Sequence, residues 1–492
     1  IHEFEPINYN LSLVIDRPER TFTGTVTIKG ISSENKITLH AKELTINEVL
    51  IDGKSAQATS NNNDTITITQ HNLPVGQHIV TIGYGGAITD TLHGLYPCYY
   101  AVDGVDKELL MTQFESHHAR EVFPCVDEPE AKATFDISVT TETGITVLGN
   151  MPIAQQDEQE GRLVTTFTQT PRMSTYLVAL VMGELQHKTA STKEGTEVSI
   201  WATAAQSPDS LDFALHHAVQ SIEFFNDYFD VRYPLPKSDH VAVPDFSSGA
   251  MENWGLITYR ESALLADPAT TTIADKQYIA TVISHELSHQ WFGNLVTMKW
   301  WNNLWLNESF ANLMEYLAVD ALHPDWHMWD QFCNNEGSFA FNRDSIAGVQ
   351  SVQTEVNHPD EISTLFDGAI VYAKGGRLLY MLLNWISESA FRAGLHEYFL
   401  AHAYHNTESN DLWGALSSAS GKDVAALMNH WITTPGYPVV TFEQTGSTVT
   451  LTQQQFFVGP HDPSDTIWRI PLHPSSTSLS DILDTKKAII GD

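Results

Sequence analysis

The sequence predicts a multidomain α+β protein, because the hydrophobic period changes twice along its 492 residues. Apolar and polar residues alternate in short segments from about residue 7 to 187, which is typical of half-buried β-strands. From about 206 to 434 apolar residues recur at helical spacing, and after 433 the alternation returns. The predicted domains are an N-terminal β domain of saddle or sandwich type at 1–187, a mostly helical domain at 188–435, and the start of a C-terminal β-sandwich domain at 436–492.

The first two domains are indicated by particular segments. In the N-terminal domain, "TFTGTVTIKG" (21–30) and "DTITITQ" (64–70) alternate strictly and are separated from their neighbours by turn residues. The first helix of the helical domain is predicted to begin with "SPD" at 207–209, a helix start signal that precedes a periodic segment. Within this domain "DHVAVPDF" (239–246) and "WGLITYR" (254–260) are predicted to be strands.

Two further helices are predicted near the middle of the chain. One is "TIADKQYIATVISHELSHQWFG" (272–293), for which Gly293 is a candidate terminator, and the other is "WWNNLWLNESFANLMEYL" (300–317). The C-terminal β segment has 57 residues. An immunoglobulin-type sandwich needs about 100 residues, so this domain is expected to be incomplete.

Composition excludes several classes of function. Hydrophobic content of 42% and aromatic content of 10% allow large cores, and the chain carries 26 basic and 60 acidic residues, a net charge of −34. Such a charge repels nucleic acid and anionic lipid, so neither is an expected partner. The longest apolar runs, such as "YLVALVM" (176–182), are far shorter than the ~20 residues of a membrane span.

The cysteines favour a reducing compartment. Cys98, Cys125 and Cys333 are widely spaced and form no CxxC pair, so we expect free buried thiols rather than disulfides or a cysteine zinc site. The first residues contain no signal-peptide pattern, which favours the cytoplasm, although a trimmed leader would give the same sequence.

The segment "HELSHQWFGN" (285–294) contains a candidate metal site. His285 and His289 are i and i+4 on the predicted helix, so both imidazoles can converge on one ion, and Glu286 beside them could take a proton from water. The same spacing also occurs on helices whose histidines bond only to carbonyls or water. Glu308, near the start of the next helix, is the candidate third ligand, and Glu315 is a competing carboxylate that is more typical of a helix surface acid.

These residues carry a family resemblance. The HExxH motif, the glutamate that follows His289 after eighteen intervening residues, and "GAMEN" at 249–253 together resemble the M1 family of zinc aminopeptidases, which are gluzincins of the aminopeptidase N type. The resemblance continues through "TQFESHHAREVFPCVDEPEAKATF" (112–135), "VTMKWWNNLWLNESFA" (296–311) and "YAKGG" (372–376). It implies a thermolysin-like catalytic domain and one Zn²⁺ per chain.

The resemblance also implies roles for particular residues. Zinc would be bound by His285, His289 and Glu308, with Glu286 as general base and Tyr372 as the donor to the oxyanion. The substrate-binding residues that it implies are Gln113, Glu115, Gly249, Ala250, Met251, Glu252 and Asn253. Among these, Glu115 and Glu252 would recognise the free amine of a peptide, and Gln113 would line the pocket for the first side chain.

The sequence departs from the family pattern at two positions. Ser309 stands where many members have Gly, and Asn303 where many have Asp, so the positioning of the zinc ligands is in question. Larger members also carry a long helical domain after the third β domain, and we expect no counterpart of it within these 492 residues. Ser248 is small, which suggests a roomy first pocket.

Three functions remain to be compared. The first is hydrolysis of the N-terminal residue from peptides with a free amine. The second is hydrolysis of a lipid epoxide, as in the leukotriene-hydrolase branch, and the third is non-catalytic peptide binding. The sequence does not fix the preferred N-terminal residue or the oligomeric state.

Overall fold

The computed structural model describes residues 3–473 and 481–490. The chain divides into two compact units. The first unit runs to Asn226 and adds Arg232–Thr297 and Tyr404–Asn406. The second contains Asp227–Val231, Met298–Ala403 and the described residues from Thr407 onwards.

The first 203 residues are rich in strands, as predicted. They form an eight-stranded sheet in the order β13-β14-β11-β1-β2-β8-β4-β5, a four-stranded sheet in the order β12-β15-β10-β9, and a three-stranded sheet in the order β3-β7-β6. The strands are β1 Phe4–Asp16, β2 Thr21–Ser32, β3 Ile37–His40, β4 Thr45–Ile51, β5 Lys54–Ser55, β6 Gln57–Asn61, β7 Thr65–Thr69, β8 Gly76–Ala87, β9 Gly94–Val102, β10 Val105–Gln113, β11 Thr134–Thr141, β12 Thr146–Gly149, β13 Ile153–Gln159, β14 Arg162–Phe167, β15 Leu180–Gly183, β16 Leu185–Ser191 and β17 Glu197–Thr203.

Buried side chains alternate with more exposed ones along central strands of the eight-stranded sheet such as β1. In β1, Tyr9, Leu11, Leu13 and Ile15 are all buried, and the residues between them are half-buried or exposed. Because the side-chain period of a strand is two, this pattern turns one face of the sheet towards a core. β1 pairs antiparallel with β2 and parallel with β11, so the N-terminal strand is central in the sheet.

A five-stranded sheet in the order β16-β17-β18-β20-β19 carries the GAMEN segment. Its later strands are β18 Lys237–Val243, β19 Ala250–Met251 and β20 Leu256–Arg260. All seven residues of β18 are buried, as expected for a strand between two parallel neighbours. β19 pairs antiparallel with β20 at the edge of this sheet.

Helices predominate from residue 212 to 433. They are α1 Asp212–Phe229, α2 Ile273–Ser288, α3 Trp305–Leu322, α4 Met328–Gln331, α5 Gly337–Asp344, α6 Gly375–Ile386, α7 Glu388–His402, α8 Ser409–Ser420 and α9 Val424–Thr433, with π-helical turns at Phe332–Glu336 and Gly368–Lys374. Two short strands, β21 Thr297–Met298 and β22 Asn406–Thr407, interrupt this region. No helix in the described ranges is both long and apolar enough to span a bilayer.

The C-terminal region returns to strands. These are β23 Pro438–Thr445, β24 Thr448–Gln455, β25 Ile470–Pro471, β26 Ile482–Leu483 and β27 Lys487–Ile490. β24 lies between β23 and β27 in a three-stranded sheet. The α+β class with a strand-rich start, a helical middle and a short β region at the end is therefore confirmed, while the domain limits at 187 and 435 remain predictions.

Two expectations about burial and one about a helix end were wrong. Cys98 and Cys125 are buried free thiols, but Cys333 is exposed. Glu315 is buried rather than a surface acid of α3. α2 ends at Ser288 instead of Gly293, because the backbone N–H of Asn294 bonds to the carbonyl of His289, five residues back, and Gly293 bonds forward to Val296.

Candidate active site

Helix α2 brings the two histidines of the motif together. The helix starts at a capping box in which the Thr272 hydroxyl accepts from the backbone of Asp275. At its other end the Nε2 atoms of His285 and His289 lie 3.1 Å apart. Two ligands of one tetrahedral zinc, each about 2.1 Å from the ion, would lie about 3.4 Å apart. The helical spacing therefore places both nitrogens at nearly the separation that one ion requires.

A hydrogen bond selects the tautomer of His289. Its Nδ1 atom lies 3.0 Å from the carbonyl oxygen of Phe292. A carbonyl can only accept, so Nδ1 carries the proton and Nε2 of the neutral ring keeps its lone pair. Metal-bound histidines usually have such a carbonyl partner on the second nitrogen. This observation fits His289 to a metal through Nε2.

Glu308 is the predicted third ligand. It lies in the first turn of α3 and is 3% exposed. Two imidazoles and one carboxylate are a usual donor set of catalytic zinc sites. The residue types of the three predicted ligands therefore suit a catalytic zinc ion.

Glu286 lies beside this pair on α2. It is buried, and its backbone carbonyl accepts a hydrogen bond from the side chain of Gln290. Burial, and then the charge of Glu286, raise the pKa of Tyr259 well above its usual value. The Tyr259 hydroxyl instead bonds to Nδ1 of His240 at 2.8 Å. Glu286 thus presents its charge in a buried environment, where electrostatic interactions are strong.

The GAMEN segment is tied to the residues that follow the histidines. The carbonyl oxygen of Glu252 accepts from Asn294 Nδ2 at 2.8 Å and from Gln290 Nε2 at 3.2 Å. Gly249 bonds through its carbonyl to the backbone of Arg260, and Asn253 Nδ2 donates to Thr258 Oγ1 at 3.2 Å. Met251, Glu252 and Asn253 are buried, whereas Gly249 and Ala250 are half-buried. Hydrogen bonds therefore hold the segment on both sides, and those from Gln290 and Asn294 are contacts that the sequence motifs did not predict.

Gln113 and Glu115 lie at the end of β10 and just after it. Gln113 is the last residue of that strand and is 8% exposed. Its Oε1 atom is buried and has no hydrogen-bond partner among the residues that the structure describes. Glu115 is half-buried two residues later. A buried amide oxygen without a partner is costly, so a donor supplied by a ligand would relieve this cost.

Tyr372 lies in the π-helical turn Gly368–Lys374 and is half-buried. Asp367 caps this turn by accepting from the backbone of Ala369 at 3.0 Å. The neighbouring Lys374 is buried and pairs with Asp344 at 2.8 Å. Burial lowers the pKa of Lys374 in spite of this partner. The lysine of "YAKG" is thus part of the support for the turn that carries Tyr372.

The two departures from the family pattern both have hydrogen-bond partners. The Ser309 hydroxyl donates to the carbonyl of Val371 at 2.6 Å, which connects the residue after Glu308 with the residue before Tyr372. Asn303 Oδ1 accepts from the Ser409 hydroxyl at 2.6 Å. Both side chains are buried, and these hydrogen bonds give their polar atoms the partners that buried polar atoms require.

Two family models match the chain. The Peptidase M1 N-terminal domain matches residues 5–177, and the Peptidase family M1 domain matches residues 213–431. The chain belongs to peptidase family M1.

Relatives of this M1 chain are found in bacteria and plants. It is 53% identical over 493 residues to aminopeptidase N of Lactococcus lactis subsp. lactis, an alignment that covers 99% of this chain and 58% of the relative. It is 48% identical over 472 residues to aminopeptidase N of Lactobacillus delbrueckii subsp. lactis, covering 96% of the chain and 55% of the relative. Identity to aminopeptidase M1-A of Oryza sativa subsp. japonica is 40% over 464 residues, 92% of the chain and 52% of the relative. The chain thus spans just over half the length of the curated relatives it matches.

Membership of family M1 implies a zinc cofactor. The residue types of His285, His289 and Glu308 agree with this implication, and so does the tautomer of His289. The resemblance to family M1 that the motifs predicted is confirmed, and the roles of the individual residues stay predictions.

Proposed function

We propose that this chain is a zinc aminopeptidase that hydrolyses the N-terminal residue from peptides with a free amine. The observation that carries the proposal is the pair of His285 and His289 on α2, whose Nε2 atoms lie 3.1 Å apart, and the resemblance to family M1 adds Glu308 as the third ligand. Zinc held by these side chains would act as a Lewis acid and lower the pKa of water towards 7. Names of relatives support the peptide-bond chemistry, since several are aminopeptidases N.

In this proposal the protein's own residues move the protons. Glu286 takes a proton from the attacking water and passes it to the leaving amine, which is general acid–base catalysis by one carboxylate. Its burial supports this role, because a carboxylate in a buried site interacts strongly with the charge that develops there. The hydroxyl of Tyr372 donates a hydrogen bond to the oxyanion of the tetrahedral intermediate.

Selection of a free amine follows from the other residues. Glu115 and Glu252 would each pair with the substrate ammonium. Gln113 would line the pocket for the first side chain, where its unpartnered Oε1 atom could accept a hydrogen bond. An internal peptide bond offers no cation to balance these groups, so it would be rejected. The edge strand β19 would pair with the substrate main chain as an added strand.

The proposal includes the cytoplasm as location. All three cysteines are free thiols, which suits a reducing compartment.

The test is an assay with aminoacyl reporters in free-amine and N-acetylated forms, before and after chelation and after zinc addition. We expect cleavage of the free-amine reporters alone, loss on chelation and recovery with zinc. Glu286→Gln is expected to keep zinc and to lose turnover, because it preserves size but cannot accept the proton. The matched control is Glu397→Gln, which alters an exposed acid on α7 and should keep both zinc and turnover.

Each contrary result has a definite meaning. Equal cleavage of acetylated reporters would remove Glu115 and Glu252 as amine-binding residues. An active and folded Glu286→Gln enzyme would contradict the mechanism. Hydrolysis of a lipid epoxide without peptide cleavage would support the leukotriene-hydrolase alternative, and bound zinc without any turnover would support a peptide-binding relative.

A further inference from the structure

A second group of metal-type ligands lies in the N-terminal β region. His93, His118 and Glu121 each offer one ligand atom, and these atoms lie within 4.8 Å of one another. Nδ1 of His93 is 2.7 Å from one oxygen of Glu121, and Nδ1 of His118 is 3.0 Å from the other. The two imidazole rings stack with centroids 4.1 Å apart. We call these three residues the His93 cluster.

The fold holds the cluster at one end of the β9–β10 hairpin. His93 precedes β9, and the first residue of that strand, Gly94, pairs with Gln113 at the end of β10. His118 and Glu121 are three residues apart across the short 3₁₀ turn Ala119–Glu121. A Cβ atom on Gly94 would lie 2.9 Å from an oxygen of Glu121, so a glycine at this position leaves room for the carboxylate.

The ligand atoms are close to the spacing of a zinc site. Nitrogen and oxygen ligands of a tetrahedral zinc lie about 3.4 Å apart, so the His93–Glu121 distance needs to open by about 0.7 Å and the His118–Glu121 distance by about 0.4 Å. The side chains are 35%, 20% and 11% exposed for His93, His118 and Glu121, so an ion can reach them from solvent. Two imidazoles and one carboxylate favour Zn²⁺ or a similar transition metal over Mg²⁺ or Ca²⁺.

A cation already interacts with this carboxylate. Lys42 Nζ lies 3.1 Å from the Glu121 oxygen that also accepts from His118, and its side chain is 31% exposed. Although burial opposes ionisation, hydrogen bonds and charge from His118 and His93 hold the pKa of Glu121 at about 2. The carboxylate is therefore ionised and able to act as a ligand at any pH near neutrality. Lys42 lies between β3 and β4, so its side chain can leave the carboxylate without disturbing a strand.

We propose that the His93 cluster is a second divalent-metal site, which takes Zn²⁺ or a similar transition metal in exchange for the ammonium of Lys42. On binding, the ion takes the place of the Nδ1 protons. Each proton moves to Nε2 of a neutral ring or is released to solvent from a charged ring. The bound metal connects the start of β9 to the turn that follows Glu115.

The experiment is a Zn²⁺ titration of the full chain after chelation, with bound metal measured by equilibrium dialysis. We expect two ions per wild-type chain and one for His118→Ala. Affinity of the second site should fall by roughly 100-fold or more, since loss of an outer-shell partner alone costs 10–100-fold. The control is His71→Ala, an exposed histidine outside the cluster, which should still bind two ions.

A second variant tests the proposal in the opposite direction. Lys42→Ala removes the competing cation, so the second ion should bind up to about 5-fold more tightly, the range expected from a partly exposed ion pair. The thermal midpoint of each variant shows whether it has folded. One ion in the wild type, or two ions with unchanged affinities in both His118→Ala and Lys42→Ala, would overturn the proposal.

A further pair of variants separates the metal site at the His93 cluster from the proposed catalytic function. His285→Ala removes a ligand of the other group, so we expect this variant to keep one ion whose binding is abolished by adding His118→Ala. Reporter cleavage by His118→Ala, measured in parallel, shows whether the His285 group still supports turnover. Loss of the second ion with turnover retained would support the proposal, and an ion still bound with unchanged affinity in the double variant would overturn it.

Discussion

Gly375→Ala tests the close packing of α6 on α3. A Cβ atom on Gly375 would lie 1.9 Å from Ser309 Oγ and 2.6 Å from Ser309 Cβ, whereas real Cβ contacts are essentially never below 3.0 Å. Ser309 is fully buried, and its hydroxyl donates to the carbonyl of Val371 at 2.6 Å. The hydroxyl therefore cannot turn away from a new methyl group without losing that bond.

The expected change in the free energy of unfolding is the sum of three contributions. Overpacking a core by one methyl group costs about 1–3 kcal/mol, and loss of the Ser309 hydrogen bond costs roughly 1 kcal/mol more. Replacing a helical glycine by alanine contributes about 1 kcal/mol in favour of folding. We expect Gly375→Ala to lower the free energy of unfolding by about 1–3 kcal/mol. The control is Gly414→Ala in α8, which has no neighbouring atom within 4 Å and should stabilise by up to about 1 kcal/mol.

The assay is urea unfolding followed by the helical circular dichroism signal. A double variant, Ser309→Gly with Gly375→Ala, isolates the contact. Once the Ser309 side chain is absent, the alanine should no longer destabilise, which gives a coupling energy of about 0.5–3 kcal/mol. If Gly375→Ala stabilises as much as Gly414→Ala does, or if the coupling is zero, the packing argument is wrong.

Two further predictions concern buried polar groups. Asn294→Ala removes the 2.8 Å bond to the Glu252 carbonyl, so KM for free-amine reporters should rise by roughly 10-fold, equivalent to about 1.4 kcal/mol, while zinc content is unchanged; an unchanged KM would show that this bond does not position Glu252. Burial, and then the charge of Lys237, lower the pKa of His240 to about 3. The unfolded chain therefore binds a proton below about pH 6.5 that the folded chain does not, and stability falls as pH decreases from 6.5 towards 3. His240→Gln lacks this titration, so its free energy of unfolding should fall less steeply between pH 6.5 and 5, by up to about 1.4 kcal/mol per pH unit; equal slopes in urea unfolding would contradict the assignment.

Hydrophobic periodicity predicted which helices and strands form better than it predicted where they end. The alternating segment at 21–30 lies inside β2 Thr21–Ser32, and the predicted second helix overlaps α3 Trp305–Leu322. The end of α2 was misplaced because long-range contacts stabilise the turn that follows it. Lys132 Nζ donates to the carbonyls of Asn294 and Leu295 at 3.2 and 3.4 Å, a contact made across more than 160 residues.

The sequence also did not predict which individual polar residues are buried. A helix such as α3 shows an apolar stripe in its sequence, but whether its polar face is covered depends on which elements pack there. Glu315 lies on α3 and is buried, whereas Cys333, an apolar residue by type, is exposed. The sequence gives the type of each side chain. Whether that side chain is buried depends on distant parts of the chain that pack around it.

The sequence alone determined the local chemistry of the candidate site. The i and i+4 spacing of His285 and His289 fixes their separation through the geometry of one helix, and so residue identity was enough to predict a metal-binding pair. Tertiary structure decided which distant groups support that pair. The contact of Asn294 with Glu252 spans 42 residues and that of Ser309 with Val371 spans 62. The physical reason is that backbone geometry acts over one helical turn, whereas buried polar groups find their partners only when packing removes them from water.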